Sequence, residues 1–148
     1  MTTALVLLVV AVVLIVGVRI FQPGPPAGLG VFEGRLTACP ESPNCVCTCA
    51  DDRQHAIEPL PFEGESANAV ARLKQAVGKL PRTRLVSETD TYLHYESVSR
   101  VFGFVDDVEF LVDAGAGVIH FRSASRVGHS DLGVNRARME TVRRHFLN

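Results

Sequence analysis

The sequence predicts an α+β domain in which an antiparallel sheet of about five strands carries two helices on one face, preceded by an N-terminal transmembrane helix. Three observations support this fold class. The chain opens with an almost continuous aliphatic run, its middle holds an apolar repeat at helical spacing, and four strand-like segments then precede a last helical pattern. After the N-terminal helix, the expected order of elements is β-α-β-β-β-β-α.

The aliphatic run at the start of the chain predicts a single membrane span. Residues 4–18 are apolar, and Ile20 and Phe21 extend the run to about 20 residues, an average span, with Arg19 snorkelling to the surface. A cleaved signal peptide is the alternative, but no Lys or Arg precedes the run and GPPAGLG offers no convincing cleavage site. No cysteine follows directly, so a lipid-modified N-terminus is not expected.

Composition divides the chain into three parts. We expect residues 1–21 to form the transmembrane anchor, residues 22–35 to form a Pro/Gly linker that lets the domain stand off the bilayer, and residues 36–148 to form one globular α+β domain. The 148 residues, 47% of them hydrophobic, suit one domain rather than two. The net charge of -1 gives no global electrostatic case for nucleic acid as a partner.

All four cysteines lie in one short segment: Cys39, Cys45, Cys47 and Cys49. The spacer PESPN between Cys39 and Cys45 is rich in turn residues and can bring their α-carbons within disulfide range, so a structural disulfide is the leading interpretation. Two alternatives stay open. The four thiolates could bind zinc, copper or an iron–sulfur cluster, although typical zinc knuckles are missing. Cys47 and Cys49 could instead exchange with the disulfide as redox-active thiols.

Two helices are predicted in the globular domain. The first has a candidate N-cap at Ser66, an end at Pro81, and four apolar residues at helical spacing: Val70, Leu73, Val77 and Leu80. The second covers roughly residues 132–146. Its inward residues are expected to be Leu132, Met139, Val142 and Phe146, and its solvent-facing residues Arg136, Arg143 and Arg144. Both helices should cover one face of the sheet.

The strand patterns predict a register for the last hairpin. The segment HAIEPLPF precedes the first helix, and RTRLVSE, TYLHYESVS, VDDVEFLVD and GVIHFRSAS follow it, separated by short turns that make them antiparallel neighbours. If the alternating apolar residues of the last two segments share the inner face, four pairs follow: Phe110–Phe121, Val112–Ile119, Glu109–Arg122 and Asp107–Ala124. Acidic residues of one strand therefore lie opposite or diagonal to basic residues of the next.

Three motifs follow one another along the chain: CPESPNC, FGFVDDVEF and RSASRVGHSDLGVNRARME. In this order and spacing they resemble the signatures of a bacterial and plastid family catalogued as domain of unknown function 1499, over roughly residues 36–146. The resemblance implies no activity. It implies that members are often exported or membrane-anchored, and that Asp106, Asp107, Glu109 and the polar groups of residues 122–138 belong to the family pattern. The chain departs from this pattern at Cys47 and Cys49, where relatives carry small polar residues.

Two features of the sequence favour opposite sides of the membrane for the domain. Arg19 and Arg35 both lie C-terminal to the span, and the positive-inside rule taken literally would keep the domain in the cytoplasm. The anchor and the resemblance to an often exported family favour the other side. We therefore expect a single-pass protein of the bacterial inner membrane whose domain faces the periplasm.

Polar residues are concentrated in residues 121–140, a strand-to-helix passage that predicts either a small-anion site or an internal hydrogen-bond network. The candidate ligand-binding residues are Arg122, Ser125, Arg126, Asn135 and Arg136, and the supporting network is Asp107, Glu109 and Asp131. Guanidinium groups and the free amides of a helix N-terminus both favour phosphate or carboxylate. In the alternative interpretation, Asp131 or Ser130 caps the last helix, Asn135 satisfies loop backbone, and the arginines pair with nearby acids.

Catalytic chemistry has weaker support in the sequence. Asp106 points to the face opposite Asp107 and Glu109, so at most two of these carboxylates share a site, and ion pairing explains them more simply. His129 beside Asp131, with serines upstream, invites a hydrolase interpretation. The chain has no GxSxG elbow, no HExxH and no glycine-rich phosphate loop. We therefore predict no catalytic residue, no metal and no cofactor.

The function predicted from the sequence is that of a membrane-anchored envelope protein with a binding or scaffold domain. A small anionic molecule or a lipid headgroup is the expected ligand. Two other classes stay open. One is an enzyme, either a hydrolase or a thiol-redox protein, that uses His129 and Asp131 or the cysteine cluster. The other is a structural module that binds another protein.

Overall fold

The computed structural model describes residues 2–148, so Met1, the first residue of the predicted anchor, lies outside the described residues. Within residues 2–148 the chain forms three helices and eight strands. In chain order they are α1 (Thr2–Ile20), β1 (Val31–Phe32), β2 (Arg35–Leu36), β3 (Cys45–Cys47), β4 (Leu60–Pro61), α2 (Ser66–Gly78), β5 (Thr83–Glu88), β6 (Tyr92–Val98), β7 (Val105–Asp113), β8 (Val118–Ser125) and α3 (Val134–Leu147).

One antiparallel sheet has the strand order β3-β8-β7-β6-β5, and β4 pairs with the remaining length of β8. A separate two-stranded sheet is formed by β1 and β2. The predicted α+β class is confirmed, but the main sheet has six strands rather than about five. The difference arises because the cysteine segment, predicted to be a loop, contributes β3, whose three residues are too few to show an alternating pattern.

The predicted register of the β7–β8 hairpin is confirmed. The structure pairs Phe110 with Phe121, Val112 with Ile119, Glu109 with Arg122, and Asp107 with Ala124. Successive side chains of a strand point to opposite faces of the sheet. The apolar residues of β7 therefore lie on one face, and Asp107 and Glu109 lie on the other.

The hydrophobic core lies between the sheet and helices α2 and α3, which pack on the same face as predicted. Its most deeply buried members include Leu73, Val77, Val108, Phe110, Ile119, Phe121, Met139, Val142 and Phe146. Each large side chain buried in this way stabilises the fold by about 1.5–3 kcal/mol. Phe110 contacts Tyr95 edge to face, with 6.0 Å between the ring centroids.

Both helices of the domain begin differently from the prediction. The helix α2 has Glu65 at its N-cap and no side-chain capping hydrogen bond, so the predicted cap at Ser66 is wrong. The helix α3 begins at Val134, and Leu132, predicted to point inward, is 94% exposed with a φ of 56°. The cause is Asp131, whose carboxylate accepts hydrogen bonds from the backbone N–H groups of Gly133 and Asn135 in a turn ahead of the helix.

The linker that follows the N-terminal helix lies against the domain rather than standing away from it. The helix α1 is long and apolar enough to cross a membrane, and none of its residues 3–20 is buried; a signal sequence has the same length and composition. After α1, the linker crosses the face of the sheet that the helices leave uncovered. Gly30 N donates to Glu109 Oε1 at 2.7 Å, and Arg126 Nη1 donates to Pro23 O at 3.2 Å. The linker therefore packs against the domain, while the predicted division into anchor, linker and domain stays a prediction.

Candidate functional site

The face of the sheet opposite the helices carries a cluster of buried charged residues centred on Arg126. Its Nε and Nη2 atoms donate to the two carboxylate oxygens of Asp107 at 2.8 and 2.7 Å, and Nη2 also donates to Glu96 Oε1 at 2.5 Å. The other oxygen of Glu96 accepts a hydrogen bond from Arg84 at 2.5 Å. His94 Nε2 lies 2.8 Å from Asp107 Oδ1. The side chains of Arg126, Asp107 and His94 are each less than a tenth exposed.

The charges in this cluster set one another's protonation states. Burial alone raises the pKa of Asp107, but the hydrogen bonds from Arg126 and His94 outweigh burial and hold the pKa below its usual range. The hydrogen bond to Asp107 raises the pKa of Arg126, which is therefore permanently charged. At neutral pH, Arg126 and Asp107 form a buried ion pair. The guanidinium of Arg126 is already bound by the carboxylates of Asp107 and Glu96.

A second buried cluster on the same face surrounds Glu109, which is fully buried. Its carboxylate accepts hydrogen bonds from Tyr92 Oη at 2.8 Å, from Gly30 N at 2.7 Å and from Arg122 Nη1 at 3.2 Å. Burial, followed by the charge of Glu109, raises the pKa of Tyr92. Within residues 2–148, Arg122 Nε is buried without a hydrogen-bond partner. Arg122 is therefore less completely satisfied than Arg126.

A third polar cluster lies on the helix side of the sheet and joins β8 to α3. Arg138 forms an ion pair with Asp106 and donates to Ser123 Oγ at 3.0 Å. Asn135 is fully buried, and its Nδ2 donates to the carbonyl oxygen of Asn44 at 3.0 Å and to Ser125 Oγ at 3.0 Å. This cluster ties the start of α3 to the last strand and to the cysteine-containing loop.

The predicted ligand-binding residues are divided between the two sides of the sheet. Arg122 and Arg126 lie on the face that the linker crosses, whereas Ser125 and Asn135 contact each other on the helix side. Arg136, predicted to face solvent, donates to the carbonyl oxygens of Gln54 and Ala56, both at 2.9 Å. Anion binding at these residues stays a prediction, but the structure does not bring all five to one opening.

The three supporting residues all make hydrogen bonds within the domain. Asp107 pairs with Arg126, and Glu109 pairs with Arg122. The Asp131 carboxylate accepts a hydrogen bond from the backbone N–H of Asn135 at the start of α3. Asp106 points away from Asp107, as strand geometry predicted. His129 is exposed, and among the described residues its ring makes no hydrogen bond with Asp131 or the upstream serines.

The four cysteines lie in two pairs at disulfide distance. Cys39 pairs with Cys45, as the turn-rich spacer predicted, with 5.7 Å between the α-carbons. Cys47 pairs with Cys49, with 5.1 Å between the α-carbons, and no cysteine is free among residues 2–148. Cys47 is fully buried in β3, and its sulfur accepts a hydrogen bond from Cys49 N at 3.2 Å. Cys49 is exposed.

A cavity of about 580 Å³, which the sequence did not predict, lies at the end of the sheet near the β7–β8 turn. Cys49 lines it together with Arg35, Thr48, Asp113 and His120. Thr48 Oγ1 and His120 Nδ1 lie 3.1 Å apart at its wall. The lining residues come from five separate stretches of the chain, so no local motif could have indicated this cavity.

The fold and these clusters define a class of protein: an α+β domain with a helix-covered core face and a polar, ion-paired face, joined to an apolar N-terminal helix. The chain belongs to the family described as protein of unknown function (DUF1499), whose model matches residues 35–146. The family that the three sequence motifs resemble is thereby confirmed. No curated protein matches the chain.

Proposed function

We propose that this protein is a single-pass envelope protein of the bacterial inner membrane, with a binding or scaffold domain in the periplasm. The observation that best supports the proposal is a contact between helix and domain. Arg19, at the end of the apolar helix α1, makes hydrogen bonds to the domain. Its Nε donates to Val101 O at 3.0 Å and its Nη2 to Arg100 O at 2.5 Å. The anchor and the domain therefore share an interface, which supports retention of α1 rather than its cleavage.

The cysteine pairs support the periplasmic side. Both pairs lie at disulfide distance, and disulfides persist in oxidising compartments but are rare in the cytosol. The opposing signal comes from Arg19 and Arg35, which the positive-inside rule would place in the cytoplasm. Arg19 is engaged with backbone carbonyl groups of the domain, so its position is explained by a local contact as well as by membrane orientation.

Two fractionation experiments on the full chain test this proposal. Alkaline washing of membranes should leave the protein in the pellet at its full mass; release of a shorter protein that lacks α1 would show that α1 is a cleaved signal. Protease added to intact spheroplasts should digest the domain while a cytoplasmic control protein survives. Protection of the domain until the cells are lysed would place it in the cytoplasm and contradict the proposal.

The scaffold role is supported by the internal hydrogen bonds that the charged groups already make. Arg126 is held by two carboxylates and Arg136 by two carbonyl groups, so neither presents a free guanidinium to an anion. A binding role for a small anion or lipid headgroup rests on Arg122, whose Nε lacks an acceptor within residues 2–148. Arg122→Lys, which keeps the charge but removes the Nε donor of the fork, separates the two roles. Loss of phosphate binding without loss of stability would support the binding role.

A second candidate function is thiol–disulfide exchange at Cys47 and Cys49, favoured by the exposure of Cys49 at the cavity. A thiolate of a protein dithiol would attack Cys49 Sγ, and the electron pair of the broken S–S bond would leave with Cys47 as a thiolate. The Cys49 N–H group, 3.2 Å from Cys47 Sγ, would stabilise that charge. The second thiol of the dithiol would then attack the mixed disulfide, leaving reduced Cys47 and Cys49 and an oxidised dithiol.

Glutathione redox buffers test this candidate, with Cys39 and Cys45 as the internal control. After equilibration, alkylation and mass spectrometry should find Cys47 and Cys49 reduced in more oxidising buffers than Cys39 and Cys45. Reduction of both pairs together, and only when the domain unfolds, would assign both disulfides a structural role.

A further inference from the structure

The turn between β6 and β7, residues 99–104, carries exposed apolar side chains and is called the hairpin tip below. Val101 is 53% exposed, Phe102 46% and Phe104 37%. The two phenylalanine rings stack on each other, with centroids 5.5 Å apart. Ser99 closes the turn, because its N–H donates to Phe104 O at 2.8 Å and its Oγ accepts from Phe104 N at 2.9 Å. A closed turn thus presents aromatic rings to the outside rather than to the core.

The hairpin tip is fixed beside the end of α1 by Arg19. The guanidinium of Arg19 binds the carbonyl groups of Arg100 and Val101, and its aliphatic stem packs on Gly103. A Cβ atom at Gly103 would lie 2.8 Å from Arg19 Cγ, and the φ of Gly103 is +71°. Arg19 lies in the last turn of the apolar helix, where a basic side chain reaches the membrane surface. With α1 spanning the membrane as proposed above, this contact would hold the tip near the membrane–water interface.

Basic residues surround the tip. Arg100 is exposed, and its guanidinium makes no hydrogen bond among the described residues. Arg82 is also exposed and lies close by, since its Nε donates to Val98 O at 3.0 Å. Asp106, a buried acid that lines the same groove as Arg82 and Arg100, is already paired with Arg138. This end of the domain therefore presents positive charge beside apolar rings, a combination suited to a bilayer that contains anionic lipids.

We propose that the hairpin tip inserts into the surface of the membrane that α1 spans, with Phe102 and Phe104 among the upper acyl chains and Arg82 and Arg100 at anionic headgroups. The proposal rests on the membrane anchor proposed above. A bilayer is favoured over a protein partner because the tip contacts the end of α1 through Arg19. The lipid that surrounds α1 would therefore also reach the apolar side chains of the tip. Val134, 49% exposed, lines a groove with Arg82 and Arg100 and widens the apolar surface at this end.

Tryptophan fluorescence tests the insertion, because the chain contains no tryptophan. Phe102→Trp gives the full chain one reporter at the tip, and Phe104→Trp gives an independent second reporter. Phe32→Trp is the matched control, since Phe32 is 55% exposed but lies in β1, paired with Arg35 at the cavity end. Each variant is reconstituted into vesicles of phosphatidylcholine and phosphatidylglycerol. The tip reporters should emit at shorter wavelength, be quenched by brominated lipids, and show about threefold less acrylamide quenching than the control.

The outcomes separate this proposal from the anchor. If the full chain floats with vesicles after alkaline washing but Phe102→Trp and Phe104→Trp are as accessible to acrylamide as Phe32→Trp, the insertion is wrong and the anchor stands. If the chain does not float with the vesicles, the anchor is wrong. Tip reporters that are shielded in native membranes but not in vesicles would identify a protein partner and overturn the bilayer assignment. If the tip reporters are equally protected from acrylamide in vesicles with and without phosphatidylglycerol, Arg82 and Arg100 do not bind anionic headgroups.

Discussion

Arg126 holds Asp107 through two hydrogen bonds, of 2.8 and 2.7 Å, on the face of the sheet that the linker crosses. Both side chains are almost completely buried. An ion pair in this position is costly to break, because the remaining partner is left as an uncompensated buried charge. Arg126, one of the five predicted ligand-binding residues, is therefore part of the internal structure of the domain.

Arg126→Ala should lower the free energy of unfolding by about 3–5 kcal/mol, because Asp107 and Glu96 would lose their shared cation. The exposed Arg144, whose side chain donates to Thr141 on its own helix, provides the control Arg144→Ala with little expected effect. Chemical denaturation of the full chain in detergent measures both. A double variant Arg126→Ala and Arg136→Ala that keeps its stability but loses binding of inorganic phosphate would instead identify an anion site.

Acid should destabilise the domain through Asp107. The pKa of its carboxyl group in the folded state lies below the usual range, so its contribution to stability is present above about pH 4. That contribution is lost as the pH falls through the folded-state pKa. Asp107→Asn should therefore be less stable than the natural chain at neutral pH and show a shallower loss of stability in acid. Denaturation between about pH 2 and pH 6 measures this, with the exposed Asp90→Asn as control; parallel pH profiles for Asp107→Asn and the natural chain would contradict the prediction.

The two tyrosines should ionise only at unusually high pH. Burial raises the pKa of Tyr95 to about 12, and burial together with Glu109 raises that of Tyr92 further. Because the folded pKa values are raised above 10.0, the associated stability is present below pH 10.0 and is lost as the pH rises through them. Absorbance at the phenolate band, followed with circular dichroism, measures the ionisation. Two phenols that titrate near pH 10 in the native state would contradict the described burial.

Asn135→Ala should destabilise the junction between α3 and the sheet by about 1–3 kcal/mol, because the fully buried Ser123 hydroxyl would lose its acceptor, Asn135 Oδ1 at 2.6 Å. The expected control is Asn68→Ala on α2, whose side chain is exposed. Thermal unfolding of both variants in the full chain compares them. An equal, small shift for the two substitutions would mean that water replaces the amide without loss.

The β7–β8 hairpin could be predicted residue by residue because its signal is long and redundant. Alternating apolar residues along the nine residues of β7 allow only one parity. A slip by one residue would turn Asp107 and Glu109 toward the core and Phe110 away from it. The acid–base pairing across the hairpin followed from the same parity. The buried ion pairs were therefore foreseen in outline from the strand pattern.

Other contacts left no trace in the sequence. Arg136 and Arg143 donate to backbone carbonyl groups, and every residue type offers the same carbonyl group. The strand β3 is three residues long, and the linker that crosses the polar face contains no periodic pattern. Leu132 was expected to pack inward because it is apolar, but the turn formed by Asp131 decides its direction.

The strand β7 works as a spacer with a fixed length. The hairpin tip lies at its first residue and the cavity at its last, and nine residues of antiparallel strand extend about 27 Å. In the proposed orientation, the membrane holds the hairpin tip, and the cavity lies at the opposite end of the strand. Any soluble molecule that reaches Cys49 or His120 thus approaches from the aqueous side at a constant height, and the rigid sheet, rather than a flexible tether, sets that height.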